Sequence, residues 1–156
     1  MNIDTEWLEE HVLLCKLNDE DKALLDSLFE VSSYSTGDVI VAQGESDGEL
    51  YLLYSGSADI TCMSEGQNIR VAIARAASLF GEMSFLTGDV ASATVTAKEE
   101  SVIYRLSRSA YSELMIKNQD LVYALFAHLL VHAGSVIRRM NEEQVALQNY
   151  ITGRRV

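Results

Sequence analysis

Residues 80–95 read "FGEMSFLTGDVASATV", a stretch shaped like a phosphate-holding loop yet without an arginine or a lysine. Gly81 lets backbone approach a ligand closely, because no Cβ stands in the way. The following "EMSFL" is expected to form a short helix whose first N–H groups face an anion. Glu82 can accept hydrogen bonds from a sugar hydroxyl, and Ser92 and Thr94 can donate to phosphate oxygens. The segment offers the backbone of an anion cradle and withholds the counter-charge.

The chain around it has strand grammar. "DVIVAQG", "ELYLLYSG", "SADITCM", "NIRVAIA", "SATVTA" and "SVIYRL" are short runs rich in Val, Ile, Tyr and Thr. Gly37, Gly44, Gly48, Gly56, Gly66, Gly81 and Gly88 fall between or beside them, and with no proline in the chain glycine does the turn work. Such spacing predicts a sandwich or barrel over 31–106.

Helical spacing frames the strands. Over 5–30 it is carried by Trp7, Leu8, Val12, Leu14, Leu17, Leu24, Leu25 and Leu28, with Asn18 as an N-cap ahead of three acidic residues. Over 107–151, "SRSAYSELMIKN" opens with Ser107 or Ser109 as cap. A helix of more than thirty residues then starts near Gln119. Its Val122, Phe126, Leu129, Ala133, Val136, Met140, Leu147 and Tyr150 fit an alternating 4-then-3 spacing interrupted only at Glu143, the seam of a helix pair. A length of 156 residues favours one domain with a full core. The expectation is a single domain over 1–156: helical 1–30, a β roll at 31–106, helical 107–151.

Twelve basic residues against 23 acidic ones give a net charge of −11. That balance opposes nucleic acid and anionic membrane, whose phosphates must be met by Lys or Arg. The N-terminus "MNIDTEWLEEH" is acidic, unlike a signal peptide, and "LVYALFAHLLVHAG" is too short to span a bilayer. Cys15 and Cys62, far apart and without metal spacing, read as buried thiols in a reducing compartment. The expected location is the cytoplasm.

The ordered set "GDVIVAQGE" (37–45), "LYLLYSG" (50–56) and "FGEMSFLTGDVASATV" resembles the cyclic-nucleotide-binding domain family, the ligand module of catabolite-activator-type regulators, kinase regulatory subunits and gated channels. The resemblance covers about residues 10–150 and implies an α+β, mainly β fold: an antiparallel eight-stranded jelly-roll-like roll between N-terminal helices and a long C-terminal helix. It also implies a phosphate-binding cassette at Phe80, Gly81, Glu82, Met83, Ser84, Ala91, Ser92, Ala93 and Thr94. The base of a nucleotide would then lie against the long helix near Ser135, Val136 and Arg138. The family's cassette arginine position is occupied by Ala91, and the proline before it is replaced by Val90. Losing a charge-assisted Arg–phosphate contact costs about 1.5–3 kcal/mol. Glu82 and Asp89 add repulsion, Val90 and Ala91 make the wall apolar, and Arg75 is a candidate substitute cation.

Other chemistries find few residues. His11, His128 and His132 all lie outside the β region, so a cupin-type metal site lacks imidazoles, and no nucleophile motif stands near the strands. His128 and His132 sit four apart on one helix without an intervening carboxylate, which reads as a packed or surface pair. The arginine pairs at 138–139 and 154–155 read as balance for the acidic surface and the helix end. Only "TGRRV" follows 151, leaving no room for a helix-turn-helix. The expectation is therefore no metal, no catalysis and no nucleic acid. In their place stands a sensory or regulatory module with weak or altered affinity for cyclic AMP or cyclic GMP, homodimeric through 119–151 and acting on an effector protein. The alternative is a dimerising scaffold of the same fold that binds no ligand.

Overall fold

The computed structural model describes residues 2–152, leaving out the side chains at 136, 139, 140 and 152. The expectations for Val136, Met140, Arg139, Arg154 and Arg155 lie outside the described residues.

Helix α1 (Thr5–Leu8) is capped by Asp4, whose side chain accepts from the Trp7 amide, and continues as a π-helical turn over Glu9–Leu13. Leu14 ends it in the left-handed region at φ 52° and is exposed, against its expected place on a helix face. Asn18 caps α2 (Asp19–Leu28) in a full capping box with Asp21.

Eight antiparallel strands follow: β1 Phe29–Tyr34, β2 Val39–Val41, β3 Glu49–Ser55, β4 Ser57–Ser64, β5 Gln67–Arg75, β6 Leu79–Phe80, β7 Thr94–Ala97 and β8 Ser101–Ser107. They form two four-stranded sheets, ordered β1-β8-β3-β6 and β2-β7-β4-β5. A helix α3 (Glu82–Thr87) stands between β6 and β7, and α4 (Arg108–Lys117) and α5 (Gln119–Thr152) follow β8. Ser107 is the cap of α4, its oxygen accepting from the Ala110 amide.

The inner strands of the first sheet, β3 and β8, are buried on both faces. On β3, Leu50 and Leu52 join Leu8, Leu25, Leu28 and Leu121 beneath the helices, while Tyr51 and Leu53 point between the sheets with Val41, Val95 and Ile103. That is why "ELYLLYS" reads as a continuous apolar run rather than an alternating one. At the far end of the roll, β4 and β5 are joined at Glu65 and Gly66, both at positive φ (49° and 78°), the backbone of a two-residue primed hairpin turn.

Two expectations are corrected. The roll starts at Phe29, not at 31: the same residue closes α2 and opens β1. The thiols are not buried, since Cys15 is exposed and Cys62 partly so, and both are free.

Helix α5 has two regimes. Leu121 and Leu125 are each 3% exposed in the core, with Val122 and Leu129 packed against it. Beyond them Leu130, Val131, Ile137, Leu147, Tyr150 and Ile151 are exposed, Tyr150 to 87%. The buried stripe thus lies one residue before the Val122–Phe126 stripe of the seam, and the seam's Ala133, Leu147 and Tyr150 face solvent.

Candidate functional site

The cassette is placed from three directions. Phe80 pairs with Tyr51 across β6 and β3, and their rings stack 5.4 Å apart at 3°. Gly81 then turns the chain at φ 80° into α3. An alanine Cβ there would stand 2.7 Å from the Glu49 carbonyl and 2.8 Å from the Tyr51 ring, so only glycine fits. The Tyr51 hydroxyl donates to Asp47. Burial, then the Asp47 acceptor, push its acidity well below that of free tyrosine, so the phenol stays a donor.

The loop after β2 supports the other side. Gly44 N–H donates to Ala91 O (2.8 Å), and Ala91 N–H donates to Glu45 O (2.7 Å). Gln43 N–H donates to Thr94 Oγ1 (3.0 Å), and the hydroxyls of Ser46 and Ser84 lie 2.9 Å apart. The "AQGE" stretch is therefore the brace of the cassette. Thr94 enters that brace as an acceptor, and Ser84 through its bond with the Ser46 hydroxyl.

These elements enclose a cavity of about 530 Å³ between the second sheet, the cassette and α5. Phe80, Gly81, Glu82, Met83, Ser84, Ala91, Ser92 and Ala93 line it; Thr94 does not. Its other walls are largely apolar, including Val41, Ile60, Leu79 and Val95. From α5, Ser135 and His132 reach it together with Leu129, Leu130, Ala133 and Ile137, whereas Arg138 is exposed and outside the lining. The aliphatic contribution of α5 had no separate signal in sequence, since the helix is apolar on several faces over 121–137.

No lysine or arginine lines the cavity among the described residues. Ala91, 8% exposed, is a buried part of its wall, while Val90 and Asp89 point outward. Arg75 lies exposed at the end of β5. Arg105 is held outside the cavity by Glu49, at 2.6 Å, and by Ser32. Arg108 donates to the carbonyls of Ser84 (3.2 Å) and Phe85 (2.7 Å), fastening α3 to α4. The sequence reading missed Ser46, Gln43 and Arg108 because each acts from another part of the chain.

One further bond ties α5 to the cassette. His128 Nε2–H donates to the Ala77 carbonyl at 2.7 Å, where Ala77 holds a left-handed φ of 67° in the turn feeding β6. His128 is thus a packed side chain. A separate groove of about 690 Å³ between residues 12–18 and α5 shares no residue with the cassette. No helix among the described residues is long and apolar enough to cross a membrane.

The family model of the cyclic nucleotide-binding domain matches residues 31–118. The cAMP-dependent protein kinase regulatory subunit of Aspergillus niger is 28% identical over 116 residues, 74% of this chain and 28% of its own length. A cGMP-dependent protein kinase of Eimeria tenella is 28% identical over 117 residues, 75% of this chain and 11% of its own. The chain therefore spans about a quarter or less of these relatives. Among solved structures, a cyclic nucleotide-binding domain from Methylobacillus flagellatus has a TM-score of 0.77 at 20% identity, covering 90% of this chain and 80% of the other. The Thermus thermophilus catabolite activator protein has a TM-score of 0.65 at 29% identity, covering 87% and 61%. With the roll, the cassette and a match over more than half its length, the chain belongs to the cyclic nucleotide-binding domain family.

Proposed function

We propose that the chain is a non-catalytic regulatory module in which occupancy of the roll cavity is passed to α5, and that its cassette has lost most affinity for a cyclic phosphate. The observation that carries this reading is Ala91: a buried methyl stands in the cavity wall, with no lysine or arginine elsewhere in the lining among the described residues. The relatives named above are cAMP- and cGMP-dependent proteins. Here an anion would enter a site whose lining, among the described residues, holds the Glu82 carboxylate and no lysine or arginine. Transmission is supported by the α5 residues in the cavity wall and by the His128–Ala77 bond. Isothermal titration with cyclic AMP and cyclic GMP is expected to give dissociation constants of about a millimolar or weaker. Submillimolar binding of either nucleotide would overturn the reading.

The exposed apolar half of α5 supports a homodimer, and the net charge of −11 goes against a nucleic-acid partner; an effector protein downstream and a cytoplasmic location complete the proposal. The same half of α5 also favours a second reading, a dimerising scaffold whose cavity stays empty. The double substitution Leu147→Glu with Ile151→Glu touches only exposed positions and is expected to convert a dimer to a monomer by light scattering. A double variant that keeps its dimer mass places the interface elsewhere.

A further inference from the structure

The cavity's own residues say more about its ligand than the missing arginine does. Glu82 is its only lysine, arginine, aspartate or glutamate among the described lining residues. It is half-buried, and no described residue gives its carboxylate a hydrogen bond or ion pair. The rest of the cavity lining is largely aliphatic and aromatic, with Val41, Ile60, Leu79, Phe80, Val95 and Ile137. A carboxylate beside such walls and without a partner among the described residues favours a ligand that donates hydrogen bonds or carries positive charge. An anion suffers twice, by its own desolvation and by repulsion from Glu82. The other polar side chains of the lining are serine hydroxyls and the His132 imidazole, and the hydroxyls of Ser84 and Ser135 are already engaged with Ser46 and the His132 carbonyl.

We propose that the roll cavity takes an uncharged or monocationic small molecule with an apolar body and a hydroxyl or amine donor, which Glu82 receives, rather than a phosphate ester. The inference rests on the reading that this cavity is the regulatory site. The aliphatic walls supply the affinity, about 25 cal/mol per Å² of apolar surface removed from water. Glu82 supplies orientation and the rejection of anions.

Two fluorescent probes that differ by one sulfonate test this on the full chain: neutral N-phenyl-1-naphthylamine and anionic 8-anilino-1-naphthalenesulfonate. The neutral amine is expected to bind about tenfold more tightly than the sulfonate. Glu82→Gln is expected to narrow that ratio to about threefold or less, mainly by improving the sulfonate. Ala133→Phe adds a ring at the exposed, α5 side of the cavity mouth and is expected to weaken the neutral probe about tenfold, with an unchanged circular dichroism spectrum. Equal binding of both probes, blocked by Ala133→Phe, would overturn the ligand class while leaving the cavity as the site. Neutral-probe binding that ignores Ala133→Phe would overturn both this inference and the regulatory reading of the cavity. A probe ratio that survives Glu82→Gln would remove Glu82 from the selection and the proposal with it.

Discussion

Replacing Gly81 by alanine is expected to lower stability by about 3 kcal/mol, a fall of about 6–12 °C in melting temperature. Two costs combine. The residue holds φ 80°, a region that costs a side chain about 1–2 kcal/mol. The new methyl would also stand 2.7 Å from the Glu49 carbonyl and 2.8 Å from the Tyr51 ring. Neither neighbour yields easily. Glu49 is backbone within β3, and Tyr51 is stacked on Phe80 and bonded to Asp47. Gly66 separates the two costs, having nearly the same φ of 78° with nothing within 4 Å of its Cβ direction. Gly66→Ala is therefore expected to cost only about 1 kcal/mol. Thermal melts of the two variants make the comparison. Equal losses would mean that the close approach of β6 to β3 is not what demands glycine at the mouth of the cassette.

How much of this was legible follows from where each signal lies along the chain. β3 and β8 announce themselves because both of their faces are buried, leaving apolar runs that no loop composition imitates. The cassette is equally plain, since one contiguous stretch supplies most of one cavity wall. β1 is faint: "FEVSSY" carries two serines, and α2 runs into it without a glycine or proline to mark the boundary. β6 is only two residues long and is defined by its pairing with Tyr51 and Leu52. The brace from Gln43 and Ser46 to Thr94 and Ser84 spans 51 and 38 residues, so local sequence cannot carry it. On α5 the register slips by one residue. The helix is apolar on several faces, and a 4-then-3 spacing drawn through Val122 fits nearly as well as one through Leu121. Only the shape of the first core selects Leu121 and Leu125.

Ala91→Arg is expected to raise affinity for cyclic AMP at least tenfold, from a contact of about 1.5–3 kcal/mol. Position 91 is well prepared for the change. Its backbone is held on both sides by the bonds to Gly44 and Glu45, so the new side chain inherits a fixed origin in the wall of a cavity of about 530 Å³. A planar guanidinium there can meet two phosphate oxygens at once, which a lysine cannot. Ala91→Lys is accordingly expected to recover less than half of the gain in free energy. The gain also has a ceiling within the same cavity, because Glu82, unpaired among the described residues, offers the arginine a carboxylate when no ligand is bound. Part of the phosphate contact is therefore exchanged for an ion pair already made. Desolvation of the guanidinium is expected to lower the melting temperature of the free variant, and cyclic AMP at a hundredfold excess over its dissociation constant to restore about 2.7 kcal/mol. Wild-type protein at the same nucleotide concentration is expected to show about half that stabilisation or less. A folded Ala91→Arg protein whose affinity is unchanged would mean that the side chain at 91 does not face the place where the phosphate sits. The electrostatic reading of the cavity would then lose its main support, because a counter-charge restored to a cradle of this shape cannot be silent.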